Sequence, residues 1–478
     1  MHVVIIGAYG SAGVAVANAL AEEDVDLTLV DDGEPGGGLC ILRGCMPSKE
    51  VLSAAAHRFQ VRHDHRLSGV PEVDLDAVVE TKNEHTSNFA SHRRSAVHDL
   101  AERENVEFVH DTARFVDDRT VEVADREIEA DYVVVATGSS VNVPDLPGID
   151  EVDYMTSADV LDSTEFPDSG VVMGFGYVGI EMIPYLSEAC GMDITVIEHD
   201  ERPLDEADPE FGDELLDLYR EEFGIEVLTE THEQSIEATD DGVRLHVDHD
   251  GTDETVDADE LFLFTGRRPA LDGLGLENTA LDLDPAAGAG TIEEETIQPG
   301  PDWVADTMQS RDDPGIFAVG DVNGKEPILH VAKEQGMIAA ENILADAAGE
   351  GLTEYENVHH HVMFSGVGVY PFARVGHSLE SAEEAGLDVV TATRRASDDG
   401  VFKTKDVPEG LARLVVDAND GTVLGYQGLH YHADAMAKTM QVIIENGMDV
   451  RDVPDRAYHP TTPEIIDGVV RETAAQLD

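Results

Sequence analysis

The sequence predicts an α/β protein with two separate parallel-sheet domains followed by a smaller α+β domain. A glycine-rich turn between an apolar strand and an apolar helix occurs twice, and its first glycines, Gly7 and Gly174, lie 167 residues apart. That spacing indicates a repeat of whole domains. After about Glu354 the pattern changes to β-rich segments and then to a long helix around Ala433–Asn446. With 478 residues, 42% of them hydrophobic, the chain can form several cores.

The first 31 residues have the pattern of half a dinucleotide-binding fold. In order they contain the strand His2–Ile6, the turn Gly7–Gly13, the helix Val14–Ala21 and the strand Val25–Val30, which ends at Asp31. The turn departs from the usual spacing: if Gly10 and Gly13 take the last two glycine positions, Ala8 stands at the first and Gly7 comes one residue early. Asp31 strengthens the prediction, because an acidic residue at this strand end binds ribose hydroxyls.

The second turn matches the Gly-x-Gly-x-x-Gly pattern fully. It follows the strand Val171–Met173 and begins a helix that we expect to extend through Ala189. Gly174 permits the tight turn, Gly176 lets the backbone approach a pyrophosphate, and Gly179 allows close packing of helix and strand. The chain is therefore predicted to bind two dinucleotides.

The acidic residue after the second turn predicts the type of nicotinamide cofactor. Glu198 follows Gly179 by 19 residues and comes directly after the strand Ile194–Ile197. A carboxylate there accepts hydrogen bonds from a ribose 2′-OH and repels a 2′-phosphate, which favours NAD over NADP. His199 and Arg202 lie close by in the sequence and would weaken that preference.

The net charge of −70 excludes several classes of partner. Negative charge opposes binding to phosphate backbones and to anionic lipid surfaces, so we expect neither nucleic-acid nor membrane partners. The 100 acidic residues are spread along the whole chain, against 30 Lys and Arg. Self-repulsion of this size is tolerated where concentrated salt shortens the Debye length to about 3 Å, which predicts a halophilic protein.

The cysteine content predicts a cytoplasmic protein. Cys40, Cys45 and Cys190 are too few for a secreted disulfide framework, and no secretory signal or long apolar run is present in the sequence. In that compartment two close cysteines indicate redox chemistry or a metal site more often than a structural disulfide.

The segment Gly36–Lys49 contains Cys40 and Cys45, five residues apart. On a regular helix these Cα atoms would be too far apart for a disulfide, but Gly44 and the preceding glycines permit a distorted loop. A redox pair, two unrelated thiols and half of a metal site are the alternatives. We expect no metal site, because no second ligand pair has metal spacing and three consecutive histidines, 359–361, cannot converge like an i, i+4 pair.

A second candidate site lies near the C-terminus. His459 precedes Glu464 by five residues, in a segment with two prolines. A histidine oriented by a carboxylate is a candidate general base. By spacing alone the signal is weak, since a surface histidine near a glutamate is common.

Taken together, these motifs resemble the FAD-dependent pyridine nucleotide-disulfide oxidoreductases, the family of dihydrolipoamide dehydrogenase, glutathione reductase and mercuric reductase. The resemblance extends over nearly the whole chain. In order, its motifs are the first glycine turn, Cys-x4-Cys with Pro-Ser-Lys, Ala136-Thr137-Gly138, the second glycine turn with Glu181, Gly266-Arg267-x-Pro269, Gly320-Asp321 and His-Pro-Thr-x-x-Glu. It implies an FAD domain in 1–145, an NAD(P) domain in 146–268, a central FAD segment in 269–350 and a dimerisation domain in 351–478.

The resemblance also implies which residues bind the cofactors. Those expected at FAD are Gly7, Gly10, Gly13, Asp31, Lys49, Thr137, Gly138, Asp321 and His330. Those expected at NAD(P) are Gly174, Gly176, Tyr177, Gly179, Glu198 and Gly266, with Tyr177 covering the flavin face. Lys49 would pair with Glu181 beside the flavin. Glu198 favours NADH, whereas a reductase role would favour NADPH.

The family's chemistry implies a role for each catalytic residue. Electrons from NAD(P)H pass through the flavin to a Cys40–Cys45 disulfide, Cys45 contacts the flavin, and Cys40 attacks the substrate. His459, oriented by Glu464, is the acid–base group and acts in the partner subunit's site, which implies a homodimer. Arg43 stands where the family has a small apolar residue.

Two substrates fit the sequence. Mercuric and large thioredoxin reductases use additional C-terminal cysteines, and none follows Cys190. Residues 57–66 contain three Arg and three His with one acid, so Arg58 and Arg62 are candidates for binding an anionic disulfide; a dimer contact or salt bridges to the acidic surface are the alternatives. With the short segment after Glu464, this favours bis-γ-glutamylcystine, the disulfide of a haloarchaeal thiol, over lipoamide.

Overall fold

A computed structural model describes residues 1–281, 301–456 and 458–477. The chain folds into two compact units, each formed from segments that are distant in the sequence. Unit 1 comprises Met1–Pro47, Thr81–Asp145 and Gly266–Asn357, and unit 2 comprises Ser48–Glu80, Leu146–Thr265 and Val358–Asp478. Part of the segment 269–350, namely 282–300, lies outside the described residues. The division into four domains stays a prediction.

Unit 1 is built on a five-stranded parallel sheet. Across the sheet the strands are Ile316–Ala318, Tyr132–Val135, His2–Ile6, Asp26–Val30 and Val106–Val109. They are short apolar runs because both faces of a parallel sheet are covered, and Val3, Val4 and Ile5 are fully buried. The register pairs Ile6 with Val30 and Val135, so these strands end at one edge. That edge is where ligands bind in open α/β sheets.

The remaining elements of unit 1 cover this sheet and extend it. Its helices are Ser11–Leu20, Leu39–Leu42 and Leu329–Ala348, with 3-10 turns at Leu276–Asn278, Pro301–Trp303 and Asp321–Asn323. Its antiparallel strands are Ala113–Asp117, Thr120–Val123 and Arg126–Glu129 in one sheet, and Ser139–Val141 with Arg267–Pro269 in another. The long helices Cys45–His63 and Leu75–Leu100 contribute residues to both units.

Unit 2 contains a second parallel sheet and two antiparallel ones. The parallel strands are, in order, Glu226–Leu228, Asp193–Ile197, Ser169–Met173, Glu260–Leu263 and Met155–Thr156. A three-stranded sheet consists of Thr231–Ala238, Val243–His249 and Thr252–Ala258. A five-stranded sheet has the order His360–Met363, Phe372–Gly376, Val423–His430, Gly410–Asp417 and Val389–Arg395.

Helices cover the sheets of unit 2. They are Ser157–Asp162, Tyr177–Glu188, Pro209–Glu222, Leu379–Glu384, Gly400–Lys405, Ala433–Glu445 and Glu464–Ala474, with 3-10 turns at Ile149–Glu151, Gly366–Gly368 and Ala396–Asp398. Buried aromatic rings such as Tyr219, Phe262 and Phe372 fill the core. The predicted fold class, two parallel-sheet domains and an α+β region, is confirmed.

A buried ion pair joins a helix to the antiparallel sheet of unit 2. Arg413, in the strand Gly410–Asp417, lies with Nη1 3.0 Å from Asp208, the residue before the helix Pro209–Glu222. The Arg413 and Asp208 side chains are 8% and 2% exposed, and Glu210 accepts a second bond from the same guanidinium at 2.8 Å.

Within the described ranges, none of the helices combines the length and apolar character that crossing a bilayer requires.

Candidate active site

The first glycine turn has the same construction as the second, with one residue more. Gly7 and Gly174 both follow the end of a strand at positive φ, +94° and +98°. A Cβ on Gly7 would lie 2.3 Å from the Ala136 carbonyl oxygen, and one on Gly174 would lie 2.5 Å from that of Phe264. Gly7 therefore takes the first glycine position, and the additional residue lies between it and Gly10. The sequence-based prediction that Ala8 stands at the first glycine position is therefore wrong.

The other glycines of the turns also correspond. Gly10 and Gly176 each stand immediately before the first residue of a helix, so the helix N–H groups point towards the turn. A Cβ on Gly13 would lie 2.3 Å from the Gly7 oxygen, while a Cβ on Gly176 would meet nothing within 4 Å. The open space above Gly176 and the helix N-terminus fit a pyrophosphate.

Asp31 directly follows the strand Asp26–Val30 and organises the loop around it. Its two carboxylate oxygens accept the N–H groups of Tyr9, at 2.8 Å, and Gly33, at 2.9 Å. Burial raises the pKa of Asp31, and these two backbone bonds oppose that shift. The carboxylate is thus fixed beside the glycine turn, the position that a ribose-binding residue needs.

A polar group of unit 1 gathers where the strands Tyr132–Val135 and Ile316–Ala318 end. Ser139 donates to Asp321 at 2.7 Å, and Arg267 donates to the Ser139 hydroxyl at 2.8 Å. Thr137 donates to a carbonyl at 2.7 Å, and the adjacent Gly138 has φ +74°. The Asp321 carboxylate and the backbone groups of Thr137 and Gly138 fit a polyhydroxyl chain such as ribitol. The remaining residue predicted at FAD, His330, is the second residue of the helix Leu329–Ala348.

The two predicted redox cysteines flank a chain reversal. Cys40 lies in the short helix Leu39–Leu42, and Cys45 is the first residue of the helix Cys45–His63. A Cβ on Gly44 would lie 3.1 Å from Cys40 Cα, so glycine lets the chain fold back there. The positive end of the second helix stabilises a thiolate at Cys45.

Arg93, on the helix Leu75–Leu100, is a residue that the sequence analysis missed. Burial lowers the pKa of its guanidinium, and a negative charge on Cys40 opposes that shift. Arg93 is therefore a cation near Cys40, and a nearby cation favours the thiolate form of a cysteine. No motif marks Arg93, since it lies 53 residues from Cys40.

Lys49 and Glu181 are brought together within unit 2. Lys49 Nζ lies 2.6 Å from both Glu181 carboxylate oxygens, and the backbone N–H of Phe364 donates to the same carboxylate at 3.1 Å. The ammonium also lies 4.5 Å from the centre of the Phe364 ring. The charge of Lys49 is therefore held by one carboxylate and one aromatic face.

Glu198 directly follows the strand Asp193–Ile197, which pairs with the strand that leads into the second glycine turn. Burial raises the pKa of its carboxyl to about 6, while a backbone N–H from Asp200 opposes the shift. The nearby Arg202 is engaged by Asp213 at 2.9 Å and by Glu201 at 2.9 Å. Gly266 begins the adjoining segment of unit 1, and an added Cβ there would meet nothing within 4 Å.

His459 and Glu464 form a dyad at the start of the last helix of unit 2. His459 Nδ1 lies 3.0 Å from Glu464 Oε1, and the Thr461 N–H donates to the same oxygen at 2.9 Å. The Thr461 N–H and His459 hold the pKa of Glu464 below its ordinary value. The His459 side chain is 82% exposed, so its other ring nitrogen is accessible from outside the subunit.

The cationic stretch 57–66 is engaged by carboxylates of unit 2. Arg58 and Arg62 both bind Glu188, whose side chain is 3% exposed, and Arg62 Nη2 lies 2.8 Å from it. His63 contacts Glu222, and Arg66 binds Asp64 at 2.6 Å. These contacts match the alternative of salt bridges to acidic residues. A substrate role for Arg58 and Arg62 stays a prediction.

The expectation that the consecutive histidines cannot converge is wrong for two of them. His359 Nε2 lies 3.1 Å from Glu206 Oε2, and His361 Nε2 lies 3.0 Å from Glu206 Oε1. Residues two apart in an extended segment share a face, whereas the i, i+4 rule applies to helices. Arg374 Nη1 contacts the same carboxylate at 3.3 Å, and the Tyr177 hydroxyl donates to it at 3.0 Å.

The fold, with a glycine turn in each of its two parallel-sheet units, defines a flavoprotein of the class that binds two dinucleotides. Residues 1–336 match the family model for pyridine nucleotide-disulphide oxidoreductases, and residues 364–469 match the model for the dimerisation domain of that family. The chain belongs to the pyridine nucleotide-disulphide oxidoreductases. It is an enzyme, a disulfide oxidoreductase, whose family uses FAD and NAD(P)H, and it contains the family's dimerisation domain.

Relatives with several activities match nearly the whole chain. Dihydrolipoyl dehydrogenase 2 of Haloarcula marismortui is 30% identical over 97% of this chain and 95% of its own length. Dihydrolipoyl dehydrogenase of Haloferax volcanii is 29% identical over 97% and 94%. Mercuric reductase of Bacillus cereus is 28% identical over 94% of this chain and 68% of its own length.

Solved structures confirm the fold. LpdA from Mycobacterium tuberculosis superimposes with a TM-score of 0.81 at 23% identity, covering 99% of each chain. The HOCl-induced flavoprotein disulfide reductase RclA from Escherichia coli has a TM-score of 0.80 at 23% identity, covering 98% of this chain and 99% of its own.

Proposed function

We propose that the protein is an NAD(P)H-dependent reductase of a low-molecular-weight disulfide, with bis-γ-glutamylcystine as its substrate in a halophilic cytoplasm. The observation that carries the proposal is the His459–Glu464 dyad, with a 3.0 Å contact at one ring nitrogen and an 82% exposed imidazole. Disulfide exchange needs a group that moves a proton to and from sulfur, and an oriented, accessible imidazole can do so. In a homodimer, His459 would serve the partner subunit's cysteines.

The proposed exchange is balanced in electrons and protons. The Cys40 thiolate attacks one sulfur of the substrate disulfide, forming a mixed disulfide and releasing one thiolate, which takes a proton from His459. The Cys45 thiolate then attacks Cys40, restoring the Cys40–Cys45 disulfide and releasing the second thiolate, which is protonated from solvent. Bound flavin supplies the transfer of two electrons from NAD(P)H to that disulfide. Arg93 stabilises the attacking thiolate.

The residues around each cofactor have separate proposed roles. Glu198 accepts hydrogen bonds from the ribose hydroxyls of NADH. Arg202 is already paired with Glu201 and Asp213, so its charge is not available to bind a 2′-phosphate. We therefore propose a preference for NADH. Asp31 and Asp321 bind the FAD sugar hydroxyls. Lys49, held by Glu181, places a positive charge beside the flavin, and Tyr177 covers the flavin face.

The choice of substrate depends on composition more than on the cationic stretch. The net charge of −70 supports a halophilic source for the protein. A haloarchaeal source in turn favours a γ-glutamyl thiol as the product of disulfide reduction. The pairing of Arg58 and Arg62 with Glu188 removes much of the positive charge that would have favoured an anionic substrate. Dihydrolipoyl dehydrogenase activity is therefore the second candidate, and the similarity to two haloarchaeal enzymes of that name favours it.

Steady-state kinetics test the proposed substrate. Steady-state rates in molar salt, with both nicotinamide cofactors, should give a far higher kcat/KM for bis-γ-glutamylcystine than for lipoamide. The reverse ranking would assign the protein to the second candidate.

Thiol counting tests the redox pair itself. After anaerobic reduction with NADH, Cys40 and Cys45 should be alkylated, as detected by mass spectrometry. In the oxidised enzyme the same two cysteines should not be alkylated. Cys190 is an internal control, because burial raises the pKa of its thiol to about 12. Absence of new label at Cys40 and Cys45 would exclude disulfide turnover.

A further inference from the structure

A second cluster of potential ligands lies in unit 2, formed by residues that the proposed disulfide exchange does not use. His359, His361 and Glu206 each present one ligand atom, and these atoms lie within 4.8 Å of one another. We propose that they form a binding site for a divalent transition-metal ion of the zinc class. Two imidazoles and a carboxylate are a donor set that such ions prefer, and it leaves a coordination position open.

The separations of the donor atoms fit one small ion. The two Nε2 atoms lie 3.1 and 3.0 Å from the Glu206 oxygens. Tetrahedral bonds of about 2.0–2.1 Å place neighbouring ligand atoms about 3.3 Å apart. Each of the two nitrogen–oxygen separations is therefore within a few tenths of an ångström of the tetrahedral spacing, and all three ligand atoms lie within 4.8 Å of one another.

The state of His361 points to a ligand. Its side chain is 5% exposed, and neither ring nitrogen has a hydrogen bond of acceptable geometry to any described residue, although Nε2 lies close to Glu206. A buried polar group without a hydrogen bond is destabilising, and coordination of a metal ion would satisfy Nε2. His359 and Glu206, 32% and 21% exposed, give an ion access from solvent.

The charges of the cluster are compatible with a cation. Glu206 is the acidic member of the cluster, and its oxygens lie 3.0–3.3 Å from His359, His361 and Arg374. A carboxylate has about four acceptor positions. Arg374 and Tyr177 use two of them, so acceptor positions remain for a metal ion.

Zinc titration of the oxidised holoenzyme tests the site. The buffer contains molar KCl and excess Mg(II), so that surface carboxylates do not bind zinc. We expect one Zn(II) per chain, and His361→Ala should weaken binding at least about 100-fold. Co(II) should give the visible bands of a low-symmetry N/O site, and the same variant should abolish them.

Matched variants make the test decisive. His360→Ala removes the intervening histidine and should leave the affinity unchanged. His65→Ala tests another carboxylate–histidine group of the described residues, Asp64, His65 and Asp406, and should also have no effect. His359→Ala removes a more exposed ligand, so it reports on the site even if His361→Ala unfolds. Equal binding by wild type and His359→Ala, a loss in His360→Ala or His65→Ala, or no Zn(II) binding at all would overturn the proposal.

Discussion

Glu188→Gln would decide whether the cationic stretch stabilises the fold or binds substrate. The buried Glu188 carboxylate is shared by Arg58 and Arg62, whose side chains are 27% and 34% exposed. The substitution keeps the side chain's size but removes the charge that faces both guanidinium groups. Because the Glu188 side chain is 3% exposed, the contact lies mostly outside water.

The expected loss of stability follows from this exposure. Removing one partner of a fully buried ion pair costs about 3–5 kcal/mol. Here both guanidinium groups reach water, so we reduce the expected loss to about 1–3 kcal/mol. The unfolding entropy of a 478-residue chain is about 1 kcal/mol/K, so the melting temperature should fall by about 1–3 °C.

Thermal unfolding in molar salt measures this loss, and Glu221→Gln is the control. Glu221 is an exposed neighbour of Glu222, and its substitution changes the net charge equally. If the stretch is structural, Glu188→Gln lowers the melting temperature and leaves KM for the disulfide unchanged. If the arginines bind an anionic substrate, releasing them from Glu188 should lower that KM. A melting temperature equal to that of Glu221→Gln would refute the structural interpretation.

Three further predictions concern the catalytic and cofactor residues. His459→Ala should lower kcat by about 10²–10⁴-fold with the flavin absorbance retained, and Glu464→Gln should have a smaller effect; near-normal turnover would exclude the acid–base role. KM for NADH should rise about tenfold per pH unit as pH falls below about 6, because Glu198 is then protonated and no longer a full acceptor; a flat profile from about pH 5 to 7 would contradict this. Gly7→Ala should reduce flavin content and melting temperature more than Gly251→Ala. Both glycines have positive φ, but a Cβ on Gly7 would lie 2.3 Å from a carbonyl oxygen, whereas one on Gly251 would meet open space. Equal effects of the two substitutions would count against the turn geometry.

Motifs that depend on local backbone conformation could be predicted from the sequence. The strand His2–Ile6 has the predicted bounds, because an apolar run followed by glycine has few alternative conformations. The predicted first helix begins at Val14, whereas the structure begins it at Ser11. The pattern could not reveal that Gly7 keeps the first glycine position in a turn with one additional residue, since only its packing against Ala136 shows this.

Contacts between distant residues were beyond sequence reasoning. Glu206 meets His359 across 153 positions, and Arg58 meets Glu188 across 130. Neither pair has a motif, because each depends on how two elements pack and not on the spacing within one of them. Lys49 and Glu181 were paired by resemblance to the family, since their 132-residue separation contains no signal of its own.

The ion pair of Arg413 has a consequence for how this chain can vary. Arg413 stands between Asp208 and Glu210, in a protein with 100 acidic and 30 basic side chains. If it is replaced by a neutral residue, two carboxylates face each other, and a neighbouring cation is rarely at hand to take its place. Tolerance to mutation should therefore be one-sided: the surface can accept additional lysines at little cost, while each existing arginine within a cluster of acids is difficult to replace.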